Sequence, residues 1–153
     1  MPITCGPALR PSLEPPDLPE IEGRFRAVHG HGLPFLVAEV DGVVAGFAYA
    51  APYRSRPAYR YALENSVYMA ADATRRGLGS ALLTELIQRA EALGYRRMIA
   101  VVGDSGNDAS IAFHVRHGFN RVGTLPSVGF KFGRWVDSVL LERPLGEGDK
   151  TLP

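Results

Sequence analysis

Three groups of residues have types and spacings suited to chemistry. The first is the turn Arg75-Arg76-Gly77-Leu78-Gly79-Ser80-Ala81. Glycines let a backbone approach a ligand closely, and a helix that starts there offers N–H groups and the positive end of its dipole. That combination suits phosphates, and Arg75 and Arg76 add charge; a plain structural turn is the alternative. The turn is not a P-loop, because no Lys followed by Ser or Thr comes after the second glycine. It is not a dinucleotide fingerprint either: Leu82 stands where a third glycine or alanine belongs, and the following strand ends Val101-Val102-Gly103 without an acid. The second group is Asn107, Ser110 and His114, at i, i+3 and i+7 on one helix face. Such a stripe either lines the crevice at the ends of parallel strands or is a solvated face with Asn107 as N-cap. The third is Glu64, inside an apolar strand. It either pairs with Arg60 or Arg54 or serves as a poised base. Cys5, in a Pro-rich opening, reads as an incidental thiol.

The elements that must position these groups follow from periodicity and turn signals. Residues 19–30 read as a short helix. Residues 35–40 and 43–50 form a hairpin about Asp41-Gly42. Residues 51–58 read as a loop and 59–69 as a third strand. Leu78, Leu82, Leu86, Ala90 and Leu93 repeat at helical spacing. With a buried strand over 98–102, this makes a strand–helix–strand crossover between parallel strands. A second short helix spans about 107–117. Strands over 119–125 and 135–143 follow, joined by the Gly-rich GFKFGRW stretch.

The chain has 153 residues, 46% of them hydrophobic, which is enough for one domain with a core. A net charge of +1 argues against binding nucleic acid through its phosphates. One cysteine allows no internal disulfide and suits a cytoplasmic, reducing setting. No apolar run is long enough for a membrane span, and the first residues lack a signal-peptide layout. Six of the twelve prolines fall in residues 1–20. The expected organisation is an irregular segment over 1–18, a domain over 19–147 and a frayed tail over 148–153.

The stretches LPFLVAEVDGVVAGFAYAAPYRSRPAYR, LENSVYM, RRGLGSALL, MIAVVGDSGNDASIAFH, HGF and VGFKFGRWVDSVLLERPLG resemble the GCN5-related N-acetyltransferases. The resemblance is to their phosphinothricin acetyltransferase-like branch and covers roughly residues 33–147. It implies a mixed α/β fold: a mostly antiparallel sheet with one splayed parallel pair and flanking helices. It also implies that the first strand and helix of the family are missing, with the Pro-rich run in their place. Acetyl-CoA is the implied donor, a primary amine the implied acceptor, and a homodimer the implied assembly; no metal is implied. The family's cofactor loop places Gln or Arg where this chain has Thr74. By the same mapping, Tyr68, Met69 and Ala70 offer backbone groups to the pantetheine arm. Residues 76–81, with Arg75 beside them, hold the pyrophosphate, and Asn107 and Ser110 touch the pantetheine.

The resemblance also implies roles. An α-amine, of pKa about 7.7–8.0, must lose a proton to attack. Glu64 stands where this branch is thought to place its general base. A backbone N–H such as that of Met69 stabilises the developing oxyanion. His114 protonates the leaving thiolate or shares the base role. The acceptor site is built from Ser55, Arg56 and Pro57, from Asn65, Ser66 and Val67, and from the KFGRW segment. Arg54 and Arg56 suit an α-carboxylate. The acceptor expected is a small amino acid or analogue of phosphinothricin or methionine-derivative type. The alternatives are an acetyl-CoA-binding but impaired protein, or an enzyme for protein N-termini or polyamines.

Overall fold

A computed structural model describes residues 17–73 and 76–153. Cys5, the Pro-rich opening, Thr74 and Arg75 lie outside the described residues, and so does the first unit expected to be missing. Helix α1 (Leu18–Gly30) begins where Asp17 caps it, its Oδ1 accepting from the Glu20 N–H at 2.9 Å, with Pro19 in the first turn. Strands β1 (Phe35–Val40) and β2 (Val43–Pro52) close about Asp41-Gly42, both at positive φ. That is the left-handed pair a two-residue hairpin needs.

Strand β3 (Ala62–Met69) starts three residues later than its apolar pattern predicts. Pro57 nucleates a single 3₁₀ turn over Pro57–Tyr59, where the Tyr59 N–H bonds to the Arg56 carbonyl. Helix α2 (Leu78–Ala92), strand β4 (Arg97–Gly103) and helix α3 (Asp108–Arg116) follow as the periodicity predicts. Strands β5 (Asn120–Lys131) and β6 (Arg134–Pro144) are longer than expected. GFKFGRW is not a linker but the end of this hairpin: Phe130 pairs with Trp135 and Lys131 with Arg134 about Phe132-Gly133. β-Branched and aromatic neighbours favour extended backbone, so the ladder runs to the turn.

The sheet order is β1-β2-β3-β4-β6-β5, with β3 and β4 the one parallel pair. β2 is buried on both faces along six successive residues, Ala45 to Ala50. Strand alternation gives Ala48 and Ala50 to one face, and Phe47 and Tyr49 to the other. α2 packs Leu82, Leu83, Leu86, Ile87 and Ala90 into the core that includes Ala48, Ala50, Leu63, Met98 and Leu141. α1 covers the opposite face, where Phe25 meets Phe35 edge-on and Phe35, Phe47, Tyr49 and Tyr68 stack. The segment expected to fray carries Arg96 bonds to Thr151 Oγ1 and to the Leu152 carbonyl, behind a fully buried Leu145.

β3 passes close to Gly46 of β2. A Cβ there would lie 2.6 Å from the Tyr68 carbonyl oxygen, which is backbone and does not yield easily. G46A is therefore expected to lose about 1–3 kcal/mol of unfolding free energy, the usual cost of overpacking. Urea denaturation checks it, and an unchanged midpoint would refute the close approach.

Candidate active site

β3 and β4 pair over only three positions: Ala62 with Arg97, Leu63 with Met98 and Glu64 with Ile99. Beyond them β3 pairs only with β2 and β4 only with β6, so a wedge opens between two strands of one sheet. Residues along β3 alternate in the direction of their backbone groups. Ala70 donates its N–H to the Ala45 carbonyl of the β2 side at 2.9 Å, and the Tyr68 carbonyl points to Gly46. The N–H groups of Val67 and Met69 therefore face the wedge. Of the three residues expected to offer backbone groups to a pantetheine arm, Met69 is the one so directed. Ala70 and Tyr68 are turned to β2 by the register.

The mouth of the wedge is formed by the start of α2. Gly77 caps the helix at φ 79°, a left-handed conformation that side chains resist, and as a glycine it makes no side-chain cap bond. The leading N–H groups, at Leu78, Gly79 and Ser80, thus lack intrahelical acceptors. Arg76 is exposed beside them, and Ala81 already bonds back to the Gly77 carbonyl. Gly79 packs between Met69 of β3 and Phe113 of α3. Three elements predicted separately therefore meet at one point: the end of β3, the start of α2 and the side of α3. A helix N-terminus of this kind suits an anionic group.

α3 is held in place by its own cap and by His114. Asn107 Oδ1 accepts from the Ser110 N–H at 3.2 Å, so Asn107 is an N-cap. His114 is buried. Its Nδ1 faces the Ser110 carbonyl at 2.9 Å and its Nε2 faces Asn65 Oδ1 at 3.1 Å. Asn65 in turn donates from Nδ2 to the Ile99 carbonyl at 3.0 Å. The imidazole expected to protonate a leaving thiolate or to share the base role has both nitrogens in these contacts.

Alternation divides the triplet Asn65-Ser66-Val67, which was expected to line the acceptor as a unit. Ser66 shares a face with Glu64 and Tyr68, while Asn65 and Val67 lie on the opposite face with Met69. Glu64 is partly buried at the vertex of the wedge. Arg54 lies over the Tyr53 ring at 5.0 Å. Its guanidinium is held above its ordinary pKa by its bond to Tyr53, then by nearby Tyr59 and Glu64. Ser55, Arg56 and Pro57 are exposed at the 3₁₀ turn just before β3. Arg60 instead lies on the Tyr61 ring and donates to the Pro57 carbonyl.

Two features were not anticipated. Arg24 of α1 donates to Tyr68 Oη at 3.0 Å and Tyr49 Oη at 3.5 Å and is paired with Glu20. Burial opposes its charge, but both phenols and the Glu20 carboxylate outweigh that and push its pKa up. The i,i+4 spacing of Glu20 and Arg24 was a signal of the pair but not of the tyrosines. The second feature is Asp137 of β6, which joins the loop before α3 to the bulge in β5. It accepts from Ser105 Oγ at 2.6 Å and from the Ser127 N–H at 2.9 Å. Among the described residues no cluster of three or more His, Cys, Asp or Glu could hold a metal, and no helix is long and apolar enough to cross a membrane.

A parallel pair opened into a wedge, with a helix N-terminus at its mouth, is the arrangement the resemblance implied. Residues 5–119 match the Acetyltransferase (GNAT) family. The chain belongs to the GNAT acetyltransferase family. It is 55% identical to a phosphinothricin N-acetyltransferase of Alcaligenes faecalis, over 91% of this chain and 71% of that protein. It is 42% identical to the Streptomyces viridochromogenes phosphinothricin N-acetyltransferase over 79% of this chain, spanning 61% of that relative. It is also 42% identical to an L-methionine sulfoximine/L-methionine sulfone acetyltransferase of Pseudomonas paraeruginosa, over 84% of this chain and 74% of that protein. The crystal structure of a GNAT phosphinothricin acetyltransferase from Sinorhizobium meliloti in complex with AcCoA superposes with a TM-score of 0.87. That match has 44% identity and covers 94% of this chain and 78% of that one. The GNAT fold of the present chain is thus a six-stranded mixed sheet flanked by three helices among the described residues.

The loop that launches α3 makes a pH prediction. Asp137 is held below its ordinary carboxylate pKa by the Ser105 hydroxyl and then the Ser127 N–H. Asp104 is held down by Arg134 and then the Gly106 N–H. A carboxylate with a lowered folded pKa stabilises fully above its unfolded value, about 3.9, and loses that contribution as pH falls through the folded value. The melting temperature should therefore fall below about pH 4. D137N should melt lower than the parent at pH 7 and lose less on acidification. An identical slope in both proteins would remove this role.

Proposed function

We propose that this GNAT protein transfers acetyl from acetyl-CoA to the primary amine of a small amino acid or analogue of the phosphinothricin or methionine-derivative type. The observation that carries the reading is the wedge, with Glu64 at its vertex and the open α2 N-terminus at its mouth. The relatives named above support the acceptor class. Acetyl-CoA supplies an acetyl group activated as a thioester. Arg76 and the leading N–H groups of α2 would hold its pyrophosphate, with Arg75 adjacent in the chain. The Met69 N–H would hold the arm or the acetyl oxygen as negative charge develops there. Asn107 and Ser110 would flank the arm from α3.

On the acceptor side, Glu64 takes the proton of the incoming ammonium, directly or through water. An α-amine of pKa about 7.7–8.0 is mostly protonated at neutral pH, so this step sets how much nucleophile is available. Arg54 and Arg56, exposed just before β3, would bind the α-carboxylate, and Ser55, Pro57 and Ser66 would complete the wall. The Glu64 carboxylate is among the groups that raise the Arg54 pKa, after Tyr53 and Tyr59, which supports a base and a carboxylate anchor serving the same α-amino acid.

Residues 19–147 would form the catalytic domain. The lone cysteine of the chain suits the cytoplasm. We also propose a homodimer, supported by the exposure of Phe130, Phe132 and Trp135 at the β5–β6 hairpin. A monomer by sedimentation at tens of micromolar would remove that reading.

A panel of amino acids and their carboxyl-free amines, followed by thiol release, tests the enzymatic assignment. E64Q should lose about 10²- to 10⁴-fold in kcat with little change in KM for acetyl-CoA. R56A should raise KM about 10-fold or more for the amino acids and leave the carboxyl-free amines unaffected, as loss of a charged hydrogen bond implies. Full turnover by E64Q would overturn the base. Equal use of acid and amine by the parent would overturn the carboxylate site. Acetyl-CoA binding with no acceptor-dependent release would favour an impaired protein.

A further inference from the structure

His114 and Asn65 meet at the point where the parallel ladder ends. Asn65 is the first residue of β3 beyond the last paired position, Glu64 with Ile99. Its amide spans the opening, because Nδ2 donates to the Ile99 carbonyl of β4. That bond fixes the orientation of the amide. Turned the other way, Oδ1 would face the Ile99 carbonyl oxygen at hydrogen-bond distance, acceptor against acceptor. Asn65 Oδ1 is thereby the atom presented to His114 Nε2, and the Ser110 carbonyl is the atom presented to Nδ1. Both ring nitrogens face acceptors, which a neutral imidazole with one N–H cannot satisfy. Asn65 is 3% exposed and His114 7%, so water is a poor substitute for either partner.

We propose that His114 is a positioning residue, an imidazolium that clamps α3 to the vertex of the wedge through Asn65 and so fixes the backbone on which Glu64 stands. The ring ties three elements together: α3 through Ser110, β3 through Asn65, and β4 through the amide bond to Ile99. Its walls are Phe113 and Phe119, each edge-to-face with it at 5.2 Å between ring centroids. The charged and titratable groups on the surrounding elements include Glu64 and Tyr68 on β3, Asp108 and Arg116 on α3, Asp137 on β6, and His117 after α3, whose Nδ1 faces the Phe113 carbonyl. β4 contributes Arg97, which is paired with Glu142, and β6 contributes Arg143, whose Nη1 donates to the His117 carbonyl. An imidazolium with both protons committed to fixed acceptors is not the proton donor to a leaving thiolate. Such a thiolate, with a pKa of about 8.5, needs little help to leave.

The protonation state is read directly, independently of whether the acceptor class above is right. In ¹⁵N-histidine-labelled protein at pH 7.5, H114Q removes one set of ring signals and so assigns them among the four histidines. If H114Q does not fold, through-bond correlations in the parent make the assignment. Both ring nitrogens of His114 should be protonated and should remain so above the ordinary imidazole pKa of about 6.5. N65A should bring that titration down. An unprotonated ring nitrogen at pH 7.5, or a titration unmoved by N65A, would overturn the clamp.

The kinetic arm rests on the acetyl-transfer reading. H114A and N65A should each lower kcat by about 10- to 100-fold, the scale of a misplaced catalytic group. The double variant should be no worse than the poorer single one, because one clamp is being removed twice. H114Q, whose amide can still donate to Asn65, should recover part of the loss. A large loss in H114A beside a fully active N65A would make the ring a direct participant and refute the positioning role.

Discussion

Everything at the site depends on where one parallel ladder stops. Hydrogen bonds between β3 and β4 hold them together for three residues and no further. Parallel neighbours usually stay paired for the length of both strands, since an unpaired buried backbone group is costly. Here the two strands each keep a full antiparallel partner on the outer side, so the gap is tolerated and the inner edges are exposed to a ligand. α2 then crosses from one strand to the other and starts over the gap. Along that opening lie N–H groups at Val67 and Met69, a helix terminus at Gly77 and a carboxylate at Glu64.

Charge is arranged to suit that geometry without a strongly charged surface. The chain is nearly neutral, yet arginines recur at the glycine turn before α2, at the turn before β3 and on α1. Arg24 illustrates the difference between a cation that binds and one that braces. It is committed to Glu20, Tyr49 and Tyr68, and it ties a surface helix to the same sheet face that carries Glu64. Arg54 and Arg56 sit on a short exposed turn. Arg56 makes its main-chain contribution as the carbonyl that caps Tyr59.

Much of the fold was legible because its strongest signals are local. The Asp41-Gly42 turn, the leucine repeat of α2 and the N-cap at Asn107 each announce one element through a few neighbouring residues. β3 was misjudged at its start because Tyr59, Arg60 and Tyr61 favour extended structure, while Pro57 imposes a tight turn that propensity alone does not weigh. The Gly-rich GFKFGRW was read as a connection because glycine weakens strands in general. Its aromatic neighbours pair across the hairpin nonetheless. Around the wedge, Glu64 and the glycine turn could be named from type and position, whereas Met69 enters only through the family resemblance. The partner of His114 could not be named so, since Asn65 lies 49 residues away in the chain. Nor could the turning of Tyr68 and Ala70 toward β2, which only the register of two strands determines.

The short seam has a mechanical meaning. The sheet is two three-stranded blocks, β1-β2-β3 and β4-β6-β5, each held by long antiparallel ladders and joined by three rungs, with α2 lying on the first of them. Deformation of such a sheet concentrates at its narrowest joint, because the blocks are stiff and the seam is not. The width of the opening between β3 and β4 is then set by three rungs, and any strain between the two blocks falls on positions 62–64 and 97–99.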